Sequence, residues 1–320
     1  MASTAVADRI LTTRKTAQTG DQIARLIALI FATLVLLIVV LLAFKLWQGS
    51  AASVQKFGWG FLTSSAWNPV TEQFGALPFI YGTVITSFVA LLISIPLGVG
   101  AAIFLSELAP AGISNALTFM VELLAAFPSV IYGLLAFLTL VPIMRSDVEP
   151  FLKSTLGFLP FFKGPAFGVG YLTASMVLAI MTFPFIISVS RESLLAVPRE
   201  QREAALALGA TKWETTWNIV VPYAKLGIYG SIFLGLARAL GETMAVTMVI
   251  GNAPEIRASL LAPGYTIAAV IANEFGEAST GVRSAALVEL GLVLFCLTII
   301  INGLARLLII ATTSKGSKRP

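Results

Sequence analysis

The sequence predicts an all-α integral membrane protein with six membrane-spanning helices and both termini in the cytoplasm. Three observations carry that expectation. Hydrophobic residues make up 57% of the 320-residue chain and charged residues 12%, about half the charged share of a soluble domain. Mean hydropathy is +0.91, so lipid must be part of the solvent. Six apolar segments are also long enough to cross a hydrocarbon core, which takes roughly 20 helical residues. Finally, lysine and arginine are unevenly shared between alternate loops, as membrane topology requires.

The spans are expected at about 26–47, 79–105, 119–143, 166–189, 227–250 and 286–311. They make a domain over 26–312, with a cytoplasmic N-terminal segment 1–25 and a cytoplasmic tail 313–320. The apolar core of the first span exceeds that of a secretory signal and no clear cleavage site follows it, so it reads as a retained anchor. Pro96, Pro128 and Pro184 fall inside spans, where neighbouring helices tolerate them. With the N-terminus inside, thirteen of the 21 basic residues fall on the inner side, among them Arg9, Arg14, Lys15, Arg25, Arg191, Arg199, Arg202, Lys212, Lys225, Arg306, Lys315, Lys318 and Arg319. Seven fall outside and Arg238 lies within the membrane. The stretch from Ser50 to Pro78 is rich in aromatics, with Trp59, Phe61, Trp67 and Phe74. An interfacial aromatic belt fits it best, with a partner-docking surface as the sharper alternative.

Composition excludes several classes of activity. There is no histidine, and Cys296 is the one cysteine, which rules out an intrachain disulfide, zinc sites as usually built and Ser-His-Asp or Cys-His catalysis. The +5 excess lies between apolar runs rather than on one face, unlike a nucleic-acid binder. No Gly-Lys dipeptide occurs, so no phosphate loop of the GxxxxGK[ST] type exists. The chain reads as a non-enzyme with no resident cofactor or metal, and any ATP must be hydrolysed by another chain.

The loop between the fourth and fifth spans, 191–226, has its own structural signals. Pro198 opens a run of helix formers, Arg199 to Leu208, and Gly209 suits the left-handed stop after a helix. Thr211-Lys212-Trp213-Glu214 has the form of a capping box, and a second helix is expected to break at Pro222. A DNA-reading helix-turn-helix is disfavoured, because the loop's five basic and four acidic residues nearly cancel. A plain surface hairpin and a rigid knob for a cytoplasmic partner remain. The pattern Glu203-Ala204-Ala205, three residues, Gly209, nine residues, Ile219, one residue, Val221-Pro222 resembles the EAA loop of type I ABC-importer permeases, with Val221 where leucine is usual. That resemblance implies that Glu203, Ala204, Ala205 and Gly209 dock on an ATPase subunit.

Four ionisable residues fall within the expected spans: Glu122, Arg238, Glu242 and Glu289. A charge at mid-bilayer costs roughly 2.5–3.5 kcal/mol on insertion scales and requires a partner or a watery cavity. Arg238 and Glu242 are four apart, hence on one face of the expected fifth helix. They form either a self-neutralising ion pair or an anion-handling pair on a substrate pathway, and the second is favoured because arginine stays charged and presents a fork of donors to an oxyanion. Glu122 and Glu289 lie near expected span ends, where interfacial exposure is the expectation.

The stretches 74–83, 122–133, 164–168, 237–246 and 272–275 resemble the PstC family, one of the two permease subunits of the bacterial phosphate-specific ABC importer. The likeness runs from about residue 50 to the end of the sixth span. It implies a channel-forming subunit in the bacterial inner membrane that imports inorganic phosphate. It also implies a homologous PstA-like permease, two copies of a PstB-like ATPase and a periplasmic or lipid-anchored PstS-like phosphate-binding protein as partners. A permease for another oxyanion, such as sulfate or molybdate, and a non-transporting membrane sensor or scaffold remain as alternatives.

Overall fold

The structure is a computed structural model that describes residues 2–278 and 281–314, with side chains from Asp21 to Leu307 and at Ile309. Most of the expected tail 313–320, including Lys315, Lys318 and Arg319, lies outside the described residues, as do the side chains of Arg9, Arg14 and Lys15. The chain forms two compact units, 1–49 and 50–320. The first is a single helical stretch belonging to α1 (Ala2–Phe57). From Ile23 to Trp47 its large apolar side chains other than Leu46 are exposed, as suits a surface solvated by lipid.

The second unit is helical apart from a small hairpin, β1 (Trp67–Asn68) and β2 (Gln73–Phe74), in antiparallel register with Trp67 opposite Phe74. The helices are α2 (Leu77–Leu108), α3 (Ala111–Ala126), α4 (Ser129–Leu156) and α5 (Tyr171–Leu195), then α6 (Arg199–Ala207), α7 (Lys212–Gly241), α8 (Met244–Val249), α9 (Ile267–Glu274) and α10 (Val282–Ser314). Among the described residues six helices are long and apolar enough to span a membrane: α1, α2, α4, α5, α7 and α10. The most deeply buried is α5, which packs on α2, α3 and α7. Around it Tyr171, Ala174, Val177, Leu178 and Met181 meet Val246, Val249 and Ile250 from the α8 region.

The helix α2–α5 and α5–α7 crossings are close because small residues face a branched one. A Cβ at Gly98 would lie 2.8 Å from Ile186 Cγ2, and one at Gly235 would lie 3.2 Å from Ile186 Cγ1. Ile186 is therefore a knob held between α2 and α7, the small-residue packing that membrane helices use where lipid offers no hydrophobic drive.

Proline acts in two different ways. Pro96 and Pro184 sit inside α2 and α5 without ending them. Pro128 does end a helix: α3 stops at Ala126, Phe127 and Pro128 are extended, and α4 restarts at Ser129. The third span is accordingly 129–156 rather than the expected 119–143, and α3 is a separate 16-residue helix. The expected break at Pro222 is absent, because α7 runs continuously from Lys212 to Gly241. Its turn Thr216–Val220 is a π-helix, directly before Val221-Pro222. The same arrangement precedes Pro142 and Pro150 in α4, with π turns at Ala136–Leu140 and Met144–Val148. A proline lacks the N–H for an i→i−4 bond and its ring crowds that carbonyl. A π turn adds one residue and shifts the bonding to i→i−5, so the helix passes the proline.

At the hairpin end, an aromatic cluster caps the bundle. Phe74 and Phe79 pack edge-on against Trp67 with centroids 4.9 and 4.8 Å apart, and Tyr265 meets Phe79 at 5.5 Å. Phe61 and Phe74 are buried, so they are core residues rather than the expected interfacial belt; Trp59 alone of the four is strongly exposed. The hairpin folds back over α2 and α9, and Trp67 Nε1 donates to the Glu274 carboxylate (3.1 Å), which also pairs with Arg283 (3.1 Å).

Candidate functional site

Two helix breaks adjoin each other in the middle of the second unit. The first is Phe127-Pro128 between α3 and α4. The second lies after α7, which ends at Gly241; Glu242 is extended (φ −70°, ψ 130°) and α8 begins at Met244. The first turns of α4 pack directly on α8. Interrupted helices of this kind are tolerated at membrane depth only where they are buried in protein or line a water-filled route.

Arg238 projects from the last turn of α7 into this region. Its guanidinium lies over the ring of Phe185 of α5, 4.2 Å from the centroid. Tyr132 of α4 is within electrostatic reach of Arg238; its hydroxyl donates to the Leu124 carbonyl at 2.7 Å, which bridges the first break. Arg238 Nε is shielded from solvent and has no hydrogen-bond partner. Among the described residues Arg238 belongs to no salt bridge.

The expected Arg238–Glu242 pair on one helical face is therefore not formed. Because α7 stops at Gly241, the chain turns away before Glu242, and the i,i+4 geometry does not exist. Instead Glu242 Oε1 accepts from the Ala245 amide (3.3 Å) at the start of α8. The ring holds this half-buried guanidinium in place, and with no salt bridge among the described residues its terminal donors can be offered to an anion.

The other two acidic residues separate. Glu122 is exposed on α3. Glu289, expected at an exposed interface, is 6% exposed. Its Oε2 and the Oγ of Ser53 are both shielded from solvent, and the two side chains lie beside each other. The cause is tertiary: the first turns of α10 pack Ala286, Leu287 and Leu290 into the aromatic cluster around Phe61, which carries Glu289 inside. Glu149 in α4 was not singled out from the sequence. It is 1% exposed and accepts from the Gly168 amide (3.1 Å), tying the loop before α5 to α4.

At the opposite end, the loop 191–226 folds largely as its signals indicate. Pro198 caps α6, and Gly209 takes φ +87°, a conformation that residues with a Cβ rarely adopt. The Thr211/Glu214 capping box has both reciprocal bonds, Thr211 N–H to Glu214 Oε2 (2.8 Å) and Glu214 N–H to Thr211 Oγ1 (3.2 Å). Glu203, Ala204 and Gly209 are exposed and Ala205 is half-buried. Leu208 is 90% exposed, an apolar side chain that folding alone does not require outside. Between α6 and the start of α7 runs a groove of about 300 Å³, lined by Ala204, Ala205, Leu208, Glu214 and Ile219 among others. Phe185 and Tyr132 are the site residues that sequence reasoning passed over; the signal available for Tyr132 was its place four residues after Pro128.

Residues 94–311 match the family of binding-protein-dependent transport system inner membrane components. The chain is 49% identical over 279 residues to the phosphate transport system permease protein PstC of Mesorhizobium japonicum, covering 86% of this chain and 85% of that one. It is 46% identical to the protein of the same name from Xylella fastidiosa, with 92% of each covered. A probable PstC of Methanocaldococcus jannaschii is 35% identical, with 83% and 86% covered. Among solved structures, a bacterial ABC transporter for the acidic polysaccharide alginate superposes with TM-score 0.56 at 18% identity, covering 88% of this chain and 94% of that one. The inward-facing MetNI methionine ABC transporter gives 0.53 at 18% identity, covering 73% and 94%. These two show a shared fold. The chain belongs to the binding-protein-dependent transport system inner membrane component family, in the branch that contains the phosphate transport permeases PstC.

Proposed function

We propose that this chain is the channel-forming subunit of an ATP-driven importer of inorganic phosphate. The observation that carries the proposal is the 46–49% identity, over 85–92% of their length, to proteins named phosphate transport system permease PstC. The unpaired Arg238 at the two helix breaks supplies a chemical reason for an oxyanion. In this reading both termini are cytoplasmic, the chain lies in the bacterial inner membrane, and α6 with the start of α7 docks a PstB-like ATPase through Glu203, Ala204, Ala205 and Gly209. A homologous PstA-like permease completes the pathway and a PstS-like binding protein delivers phosphate from the far side. ATP is hydrolysed by the partner chains, since this chain has no phosphate loop.

Arg238 would meet the anion transiently. A guanidinium held by an aromatic face attracts a dianion without enclosing it, which suits a route where binding must be weak enough to release. Glu242, next to the route but bonded to α8, adds negative charge that disfavours trapping.

Proteoliposomes holding the complete importer should take up labelled phosphate on addition of ATP, with excess unlabelled phosphate competing and sulfate or molybdate not. Competition by sulfate or molybdate at equal concentration would assign a different oxyanion. Unchanged phosphate uptake in cells lacking the chain would favour a sensor or scaffold.

A further inference from the structure

Arg202 lies one residue before the Glu203-Ala204-Ala205 motif, on the face of α6 turned toward the bundle. Its guanidinium makes four hydrogen bonds. Two go to one carboxylate: Nε to Glu107 Oε2 (3.1 Å) and a terminal nitrogen to Glu107 Oε1 (2.8 Å). The other two go to the carbonyls of Leu194 (2.7 Å) and Val197, which close the last turn of α5. Glu107 belongs to the π turn that ends α2. The pair is largely withdrawn from solvent, with side chains 20% and 10% exposed. A surface ion pair of this length would do little, but a bidentate, shielded guanidinium–carboxylate pair is directional and strong. It also places positive charge at the C-terminus of α5, where the helix dipole favours it. Lysine could not reproduce the fork.

One side chain thus joins α6 to the ends of both α2 and α5. From there contact is continuous to the candidate pathway. Ile186 of α5 is wedged between Gly98 of α2 and Gly235 of α7. The preceding residue, Phe185, carries the guanidinium of Arg238 on its ring.

From this geometry we infer that the Arg202–Glu107 pair is the mechanical link that converts displacement of α6 into movement of α2 and α5, and so into exposure or closure of the Arg238 region. Arg202 and Glu107 are positioning residues: they touch neither the anion nor the nucleotide. The inference rests on the importer reading above. Without the link, the ATPase can stay bound to the exposed face of α6 and cycle, while the bundle no longer follows.

The test uses the complete importer in proteoliposomes, with phosphate uptake and ATP hydrolysis measured on the same preparation. Arg202→Ala should lower phosphate taken up per ATP hydrolysed by about tenfold, with copurification of the ATPase and basal hydrolysis retained. Glu107→Gln is nearly isosteric and removes the charge and one of the two acceptors; it should lower the same ratio by about threefold. The Glu107→Ala/Arg202→Ala double variant should be no worse than Arg202→Ala alone, as expected for residues acting as one unit. Unaltered uptake per ATP in both single variants overturns the inference. So does additive loss in the double variant, or loss of uptake that only follows loss of ATPase from the complex, since Arg202 would then be a docking or folding residue. Absence of phosphate uptake in the unsubstituted importer would instead overturn the importer reading.

Discussion

Arg238 is held by aromatic contact rather than by a carboxylate, and this changes what its removal should do. An arginine neutralised by Glu242 would be half of a closed pair, and deleting it would leave a buried, uncompensated glutamate. With the pair absent and Glu242 bonded to the Ala245 amide, Arg238→Ala should leave folding and assembly intact and lower phosphate uptake by about 100-fold, the loss of one charge-assisted, multi-donor contact. Arg238→Lys should recover part of that, because an ammonium keeps the charge but not the planar fork that stacks on Phe185. Labelled-phosphate uptake, with size-exclusion profiles of the purified complex, separates these outcomes. Ile186 offers a stability test on the same helix. Gly98→Val would bring its Cβ to 2.8 Å from Ile186 Cγ2 and should destabilise by about 1–3 kcal/mol through overpacking. The Gly98→Val/Ile186→Ala double variant should recover most of it in thermal unfolding of the detergent-solubilised protein.

Among the elements, the short helix α6 and the start of α7 present exposed Glu203 and Leu208 beside a groove of about 300 Å³. Glu203→Lys should reduce copurification of the ATPase by about tenfold if the carboxylate meets a cation across the contact, while insertion of the chain in the membrane is unchanged. ATPase copurifying at the unsubstituted level would remove this face as the dock. The π turn Thr216–Val220 gives α7 its continuity from that face to Arg238. A helix broken at Pro222 would have made a hinge between α6 and Arg238; the continuous helix has none there.

For the whole chain, the basic residues weighted toward one side predict that both ends face the cytoplasm. A reporter that is active only in the cytoplasm should work when fused after Pro320, and one active only in the periplasm should fail there. The reverse result would invert the topology and put α6 on the wrong side for a cytoplasmic ATPase. Opposite that end, the loop before α5 and the first residue of α5 are cross-linked to the loop before α9 by backbone bonds, Leu260 N–H to Phe161 (2.8 Å) and Tyr171 N–H to Ala262 (3.1 Å).

The helical, membrane-spanning character of the protein was legible in the sequence because it depends on local quantities. Apolar length, helix propensity, the glycine stop at Gly209 and the capping box at Thr211 act over a few residues, and the last two formed as expected. Arg238 stood out for the same reason, as one charge in a long apolar run. What tertiary structure alone decided was which signals would be overridden and what each charge would face. Pro128 ended a helix, whereas α7 passed Pro222 with a π turn directly before it. Glu289 went inside because its neighbours on α10 belong to the aromatic cluster. Glu242 left Arg238 because α7 ended one residue earlier, and Phe185, 53 positions away in the chain, took its place. Burial and pairing are sums over residues distant in sequence, so composition and spacing along one segment do not determine them.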